Sequence, residues 1–128
     1  MNVHLPKLSE LDERKLERLR ASGQLLPVMN NTKWGELVAA MQQSPHQKPQ
    51  FRLRSVFANE GFVADWDGEW HYHIHPVAEI EWLELRASSE EWLVALLCTH
   101  SIPYSREAGV VRVWGYVRPG HQPLWHVA

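Results

Sequence analysis

The apolar positions Leu8, Leu11, Leu16 and Leu19 fall within one broad face at about 100° per residue, and this spacing predicts a helix from Leu8 to Ser22. Ser9 is its expected cap and Gly23 stands where a C-terminal stop belongs. The other face mixes Glu13 and Glu17 with Arg14 and Arg18, a solvated surface with weak i,i+4 support. A second helix is predicted over Thr32 to Gln43, because Trp34, Leu37, Val38 and Met41 repeat at i, i+3, i+4 and i+7. Asn30, Asn31 or Thr32 can cap it. A polar, Pro-broken loop follows from Ser44 to Pro49.

The period then changes to two. Phe51, Leu53, Ser55 and Phe57 alternate with Arg52, Arg54 and Val56. Phe62 to Trp66 and Glu69 to His75 flank Asp67-Gly68, a strong short hairpin signal. Ile80, Trp82 and Leu85 alternate with Glu79, Glu81 and Glu84, which predicts a strand with an apolar inner face and an acidic, solvated outer one. A third, largely buried helix starts at Ser88, where Ser88 and Glu91 have capping-box spacing. Val111, Val113, Gly115 and Val117 mark another strand, Arg118-Pro119-Gly120-His121 a turn, and Leu124 to Val127 a last strand. The order ααββββαββ implies an α+β fold, an antiparallel sheet of five to six strands with helices on one face.

Composition narrows the class. The chain has 128 residues, 45% of them hydrophobic, enough for one core without staples. Cys98 is the single cysteine, so no internal disulfide forms, which fits a reducing compartment. The longest apolar run, Trp92 to Cys98, is far short of the roughly 20 residues a membrane span needs. The N-terminus has no apolar signal segment. A formal net charge of -2 argues against generic nucleic-acid binding. A soluble cytoplasmic domain without a cofactor is expected.

Charge is unevenly spread, however. From Glu60 to Glu91 there are nine acids and one base, Arg86, a net charge of -8, against +6 for the rest of the chain. A face of one sign steers a partner of the other. The expected partner is therefore a protein with a basic face. Its contacts would be Trp66, Asp67, Glu69, Trp70, Glu79, Glu81 and Glu84, with Trp114 and Tyr116 as further aromatic anchors. Trp34, Trp82 and Trp92 are expected in the core.

The run His71-Tyr72-His73-Ile74-His75 is the other candidate for chemistry. On a strand its three imidazoles share one face. Alternate positions lie about 7 Å apart, so two of His71, His73 and His75 could converge on a metal with a further ligand. This makes a metal-binding protein or metal-dependent hydrolase the alternative reading. There is no HExxH, GxSxG, phosphate loop or GxGxxG, and Cys98 lies within an apolar helical run, so no catalytic residues are assigned.

Four stretches together carry a resemblance: Asn30-Asn31-Thr32-Lys33-Trp34, Trp66-Asp67-Gly68-Glu69-Trp70, Ile80-Glu81-Trp82-Leu83-Glu84-Leu85 and Val111-Arg112-Val113-Trp114-Gly115-Tyr116. With them the chain resembles a family of small bacterial proteins of unknown function. The resemblance implies a domain over residues 29–128 preceded by an N-terminal helical extension, residues 1–28. It supplies no catalytic residues. Small acidic, Trp-rich domains of this style resemble immunity proteins, which implies an inhibitor of a cognate toxin rather than an enzyme.

Overall fold

The computed structural model describes residues 5–44, 48–58, 63–121 and 123–125. Three helices form where their periodicity places them. Helix α1 spans Glu10–Ala21, and the Ser9 hydroxyl accepts from the Asp12 N–H at 3.1 Å. Glu10, Asp12 and Glu13 lie in its first turn and Arg18 and Arg20 in its last, matching the helix dipole. Gly23 takes a φ of 77°, the left-handed geometry that ends the helix. The two-residue strand β1, Leu26–Pro27, follows. Helix α2, Asn31–Gln42, is capped by Asn30, which accepts from the Lys33 N–H at 2.8 Å. Helix α3, Glu90–Thr99, is capped by Ser89, one residue later than the capping-box spacing suggests.

The main sheet is four-stranded and antiparallel. Its strands are β2 (Gln50–Ser55), β3 (Ile80–Arg86), β4 (Tyr104–Glu107) and β5 (Val110–Trp114), in spatial order β2-β3-β5-β4. A second, two-stranded sheet pairs β1 with β6 (Tyr116–Val117). Val28 N–H donates to the Gly115 carbonyl at 2.9 Å, and Gly115 N–H to the Glu81 carbonyl at 2.8 Å, so Gly115 joins the two sheets. The fold is α+β as the pattern predicts, with a different strand list.

The strands differ from the predicted ones in three places. The hairpin expected around Asp67-Gly68 does not form. Residues 63–66 and 68–69 are irregular, 70–72 are a turn, and only Asp67 bridges to Phe51. Strand β4 is additional; it reaches β5 through Ala108-Gly109, both at positive φ (51° and 82°), a tight turn without the Asn-Gly signature. The turn at 118–121 forms, with Gly120 at φ 79° and His121 N–H donating to the Arg118 carbonyl. Of the last predicted strand, residues 124–125 are irregular and 126–127 lie outside the described residues.

The core lies between one sheet face and helices α2 and α3. Trp34, Leu37 and Met41 from α2 and Leu93 and Leu97 from α3 join Phe51, Leu53, Ile80, Leu83, Leu85, Val111 and Val113 in one cluster. Trp82, expected beside Ile80, lies on the opposite face with Trp114 and Val117. The cause is a β-bulge: Arg54 pairs with Trp82 but Ser55 pairs with Ile80, so Glu81 is an extra residue. The bulge shifts the alternation by one, and Glu81, Trp82 and Glu84 share the outer face. Residues 5–28 pack onto the rest of the chain, where Leu16 and Leu25 form a second cluster with Val56 and Tyr116.

Candidate interaction surface

The outer sheet face is ionic rather than acidic. Glu84 is 2% exposed. Its Oε1 accepts from Arg52 Nε at 2.6 Å and its Oε2 from Arg112 Nη2 at 2.7 Å. Glu81 is also buried; it accepts from Arg118 Nη2 at 2.9 Å and lies 3.6 Å from Arg54 Nε. The Arg112 guanidinium stands over Trp82 at 4.0 Å and Trp114 at 5.2 Å. This corrects the expectation that Glu81 and Glu84 present a solvated acidic face. Their arginine partners come from neighbouring strands and from residue 118, outside the stretch whose charge was counted. Glu79, half-buried, lies 2.7 Å from His75 Nδ1.

Three of the four expected aromatic contacts, Trp70, Trp114 and Tyr116, are interior. Trp114 donates from Nε1 to Ser105 Oγ at 2.8 Å. The Tyr116 hydroxyl donates to the Ala78 carbonyl at 2.8 Å and accepts from Arg20 Nη2 at 2.6 Å. Both rings are buried, because their strand faces are covered by Trp82, Val117 and the α1 cluster.

The stretch 66–75 is a tied turn. It leans on the start of β2 through two backbone bonds between Phe51 and Asp67, 2.7 and 2.8 Å. Trp70 anchors it: the ring is fully buried, 4.5 Å from that of Phe51, and Nε1 donates to the Pro49 carbonyl at 2.8 Å. Ile74 is buried as well. Trp70 therefore packs inward instead of pairing with Trp66 across a hairpin.

Side-chain carboxylates shape the backbone between these anchors. Asp67 Oδ1 accepts from the Glu69 N–H at 2.8 Å. Glu69 Oε1 accepts from the His71 N–H at 2.6 Å and the Tyr72 N–H at 3.2 Å. Such local bonds offer the chain an alternative to a strand ladder. They also hold both acids below the usual carboxylate range: the Glu69 N–H does so for Asp67, aided by His73, and the His71 and Tyr72 N–H groups do so for Glu69.

A lowered folded-state pKa gives stabilisation that is present above the unfolded value and lost as pH falls through the folded one. The turn should hence stay tied at neutral pH and loosen only below about pH 4. Backbone amide shifts of Glu69, His71 and Tyr72 should titrate together, below the ordinary glutamate value. A midpoint at that ordinary value would show that the carboxylates do not tie the turn.

With Trp70 and Ile74 turned in, His71, Tyr72 and His73 project outward, and Tyr72 is 87% exposed. His71, His73 and His75 thus do not share a strand face. His73 Nδ1 lies 2.8 Å from Asp67 Oδ2 and His75 pairs with Glu79. Among the described residues, no group of three or more His, Cys, Asp or Glu is placed to hold a metal ion. His73 and His75 thus stand in two separate imidazole–carboxylate pairs, with Asp67 and with Glu79.

Beside the turn, Trp66 is half-buried between two guanidiniums, Arg52 at 4.7 Å and Arg86 at 4.3 Å. Trp66, Asp67 and Glu69, expected as contacts from the sequence, lie together at this turn, with Tyr72 and Arg86 beside them. The sequence signal for the turn is the pair of carboxylates two residues apart beside Gly68, a turn-forming combination.

Elsewhere, a recess of about 540 Å³ separates the N-terminal segment and α1 from residues 76–78. Its charged side chains Lys7, Glu13, Glu17 and Arg20 are all exposed. No helix among the described residues is long and apolar enough to cross a membrane.

Residues 16–120 match a family of unknown function, DUF6678. The chain belongs to that family. The DUF6678 match starts inside α1, so it takes in Leu16, Leu25 and β1 along with the sheet and the tied turn. DUF6678 carries no assigned activity. Comparison with curated proteins and with solved structures gives no match.

Proposed function

We propose that this protein is a protein-binding module, an immunity-type inhibitor that docks on a cognate toxin through the turn 66–73. One observation carries the reading: an aromatic side chain with 87% of its surface in solvent sits on a backbone already fixed by two carboxylates and a buried tryptophan. Tyrosine and tryptophan dominate binding hot spots. A pre-ordered turn also avoids the entropy of ordering a loop on binding. Trp66, Asp67 and Glu69 remain at or near the surface beside Tyr72, whereas Trp70 supports the turn from within. The choice of a toxin as partner rests on small size, Trp content and resemblance in style to immunity proteins.

Co-expression with the product of the adjoining gene, followed by affinity capture, tests this. Tyr72→Ala should weaken capture by about 2 kcal/mol, roughly 30-fold. Its unfolding free energy should stay within about 0.5 kcal/mol of the parent, since the ring is exposed. If no neighbouring product is captured, or if Tyr72→Ala binds like the parent, the reading is wrong.

A further inference from the structure

We propose that the surface beside the turn, centred on Arg86 and Trp66, receives an acidic segment of the protein partner. This deepens the function proposed above and rests on the protein being a protein-binding module.

The charge pairing on the outer sheet face carries the argument. Arg52 and Arg112 both serve Glu84, and Arg54 and Arg118 both serve Glu81. Four guanidiniums thus share two buried carboxylates, and Glu107, which accepts from Ser105 Oγ at 3.0 Å, is a third acid on that face. Arg86 is exposed and has a different set of partners among the described residues: the Trp66 ring and the side-chain oxygen of Gln50, which accepts from its Nε at 3.0 Å and from its Nη2. Neither is a carboxylate. Its charge is uncompensated there, while stacking and the Gln50 bonds hold its plane. A fixed guanidinium fork matches a carboxylate in shape, and less entropy is lost when its remaining N–H groups find one. Arg and Trp are also the residue types most enriched at binding hot spots.

Acidic protein fits better than nucleic acid. Asp65, Asp67 and Glu69 alternate through the same stretch as Trp66 and carry their own negative charge beside the fork. A phosphate backbone carries its charge at fixed intervals and would run over them, whereas carboxylates on flexible side chains can turn toward Arg86 and away from them. The expected partner contact is thus opposite in sign to the basic face that the charge count along the chain suggests.

Fluorescence anisotropy of labelled hexaglutamate with the full chain, at about 25 mM NaCl where screening is weak, is the direct test. Hexaglutamate should bind, with hexalysine bound at least about fivefold more weakly. Arg86→Ala should lower its affinity about fivefold or more. Arg86→Lys should lose most of that as well, because a point charge keeps the sign but not the stacked fork. Lys15→Ala, on the exposed side of α1, should have less than about a twofold effect. The proposal is overturned if hexaglutamate does not bind or if Arg86→Ala costs less than fivefold. It is also overturned if an oligothymidylate of equal charge binds more tightly than hexaglutamate through Arg86, which would make the face a nucleic-acid site.

The two readings fail separately. Capture of the toxin that survives Arg86→Glu but is lost in Tyr72→Ala removes the acidic-segment proposal and leaves the turn. Capture lost in Arg86→Glu and retained in Tyr72→Ala removes the turn as the anchor and leaves Arg86.

Discussion

Replacing Glu84 with alanine is expected to lower the unfolding free energy by about 3 kcal/mol, a large share of the stability of a small domain. The carboxylate is 2% exposed and is the shared acceptor for Arg52 and Arg112. Without it, Arg112 keeps a largely covered charge over Trp82 and Trp114 with no carboxylate, and a void opens on the outer face. Arg52 is better placed to rehydrate, since about a third of its side chain is already exposed. Glu84→Gln keeps the volume and should cost less. Replacing Arg52, Glu84 and Arg112 together with apolar residues of similar size should recover most of the loss, because desolvation of all three charges disappears with them. Urea unfolding of the single and triple variants measures this. If the single variant loses less than about 1 kcal/mol, the network is not a structural element.

Gly115→Ala should be comparably damaging, about 3 kcal/mol or more. A Cβ placed there would sit 2.1 Å from the Ile80 carbonyl oxygen and 3.3 Å from Trp34 Cζ2. The obstructing atom is backbone within the central strand, so no side chain can swing away. Relief requires separating β5 from β3, at the residue whose N–H and carbonyl bond Glu81 and Val28. Gly35→Ala is the matched control. It lies in the interior of α2 with open space around it, so the substitution should be neutral or stabilise by about 0.5–1 kcal/mol. Thermal unfolding of both variants decides the matter; equal melting temperatures would mean that the close approach at Gly115 does not hold in solution.

The helices were legible in the sequence because each has a local cause. Ser9 and Asn30 cap where the period begins, and Trp34, Leu37, Val38 and Met41 keep one face throughout. The strands were legible only as far as their alternation was undisturbed. In β3 the extra residue Glu81 breaks it, and nothing in Ile80-Glu81-Trp82-Leu83-Glu84-Leu85 marks which residue is extra. The bulge exists because two neighbouring strands dictate the pairing, which is long-range information. The acidic stretch misled for the same reason: charge counted along a chain omits arginines that arrive from β2 and β5. At Asp67-Gly68, local chemistry outweighed the hairpin. Gly68 does not adopt the positive φ a tight hairpin turn needs, because Asp67 and Glu69 claim nearby N–H groups and Trp70 is drawn into the core.

The packing of Leu16 beside Tyr116 bears on how the chain is made. Synthesis runs from the N-terminus at about 5–20 residues per second, so α1 leaves the ribosome roughly 5–20 s before the residues it rests on. A lone 12-residue helix is marginal in water, and Leu16 and Leu25 lack their Tyr116 contact through that interval. The Arg20–Tyr116 bond, which spans 96 residues of chain, closes only after the four-stranded sheet can exist. Helix α1 is thus made well before its packing can be completed, and part of its apolar face stays uncovered until Tyr116 emerges.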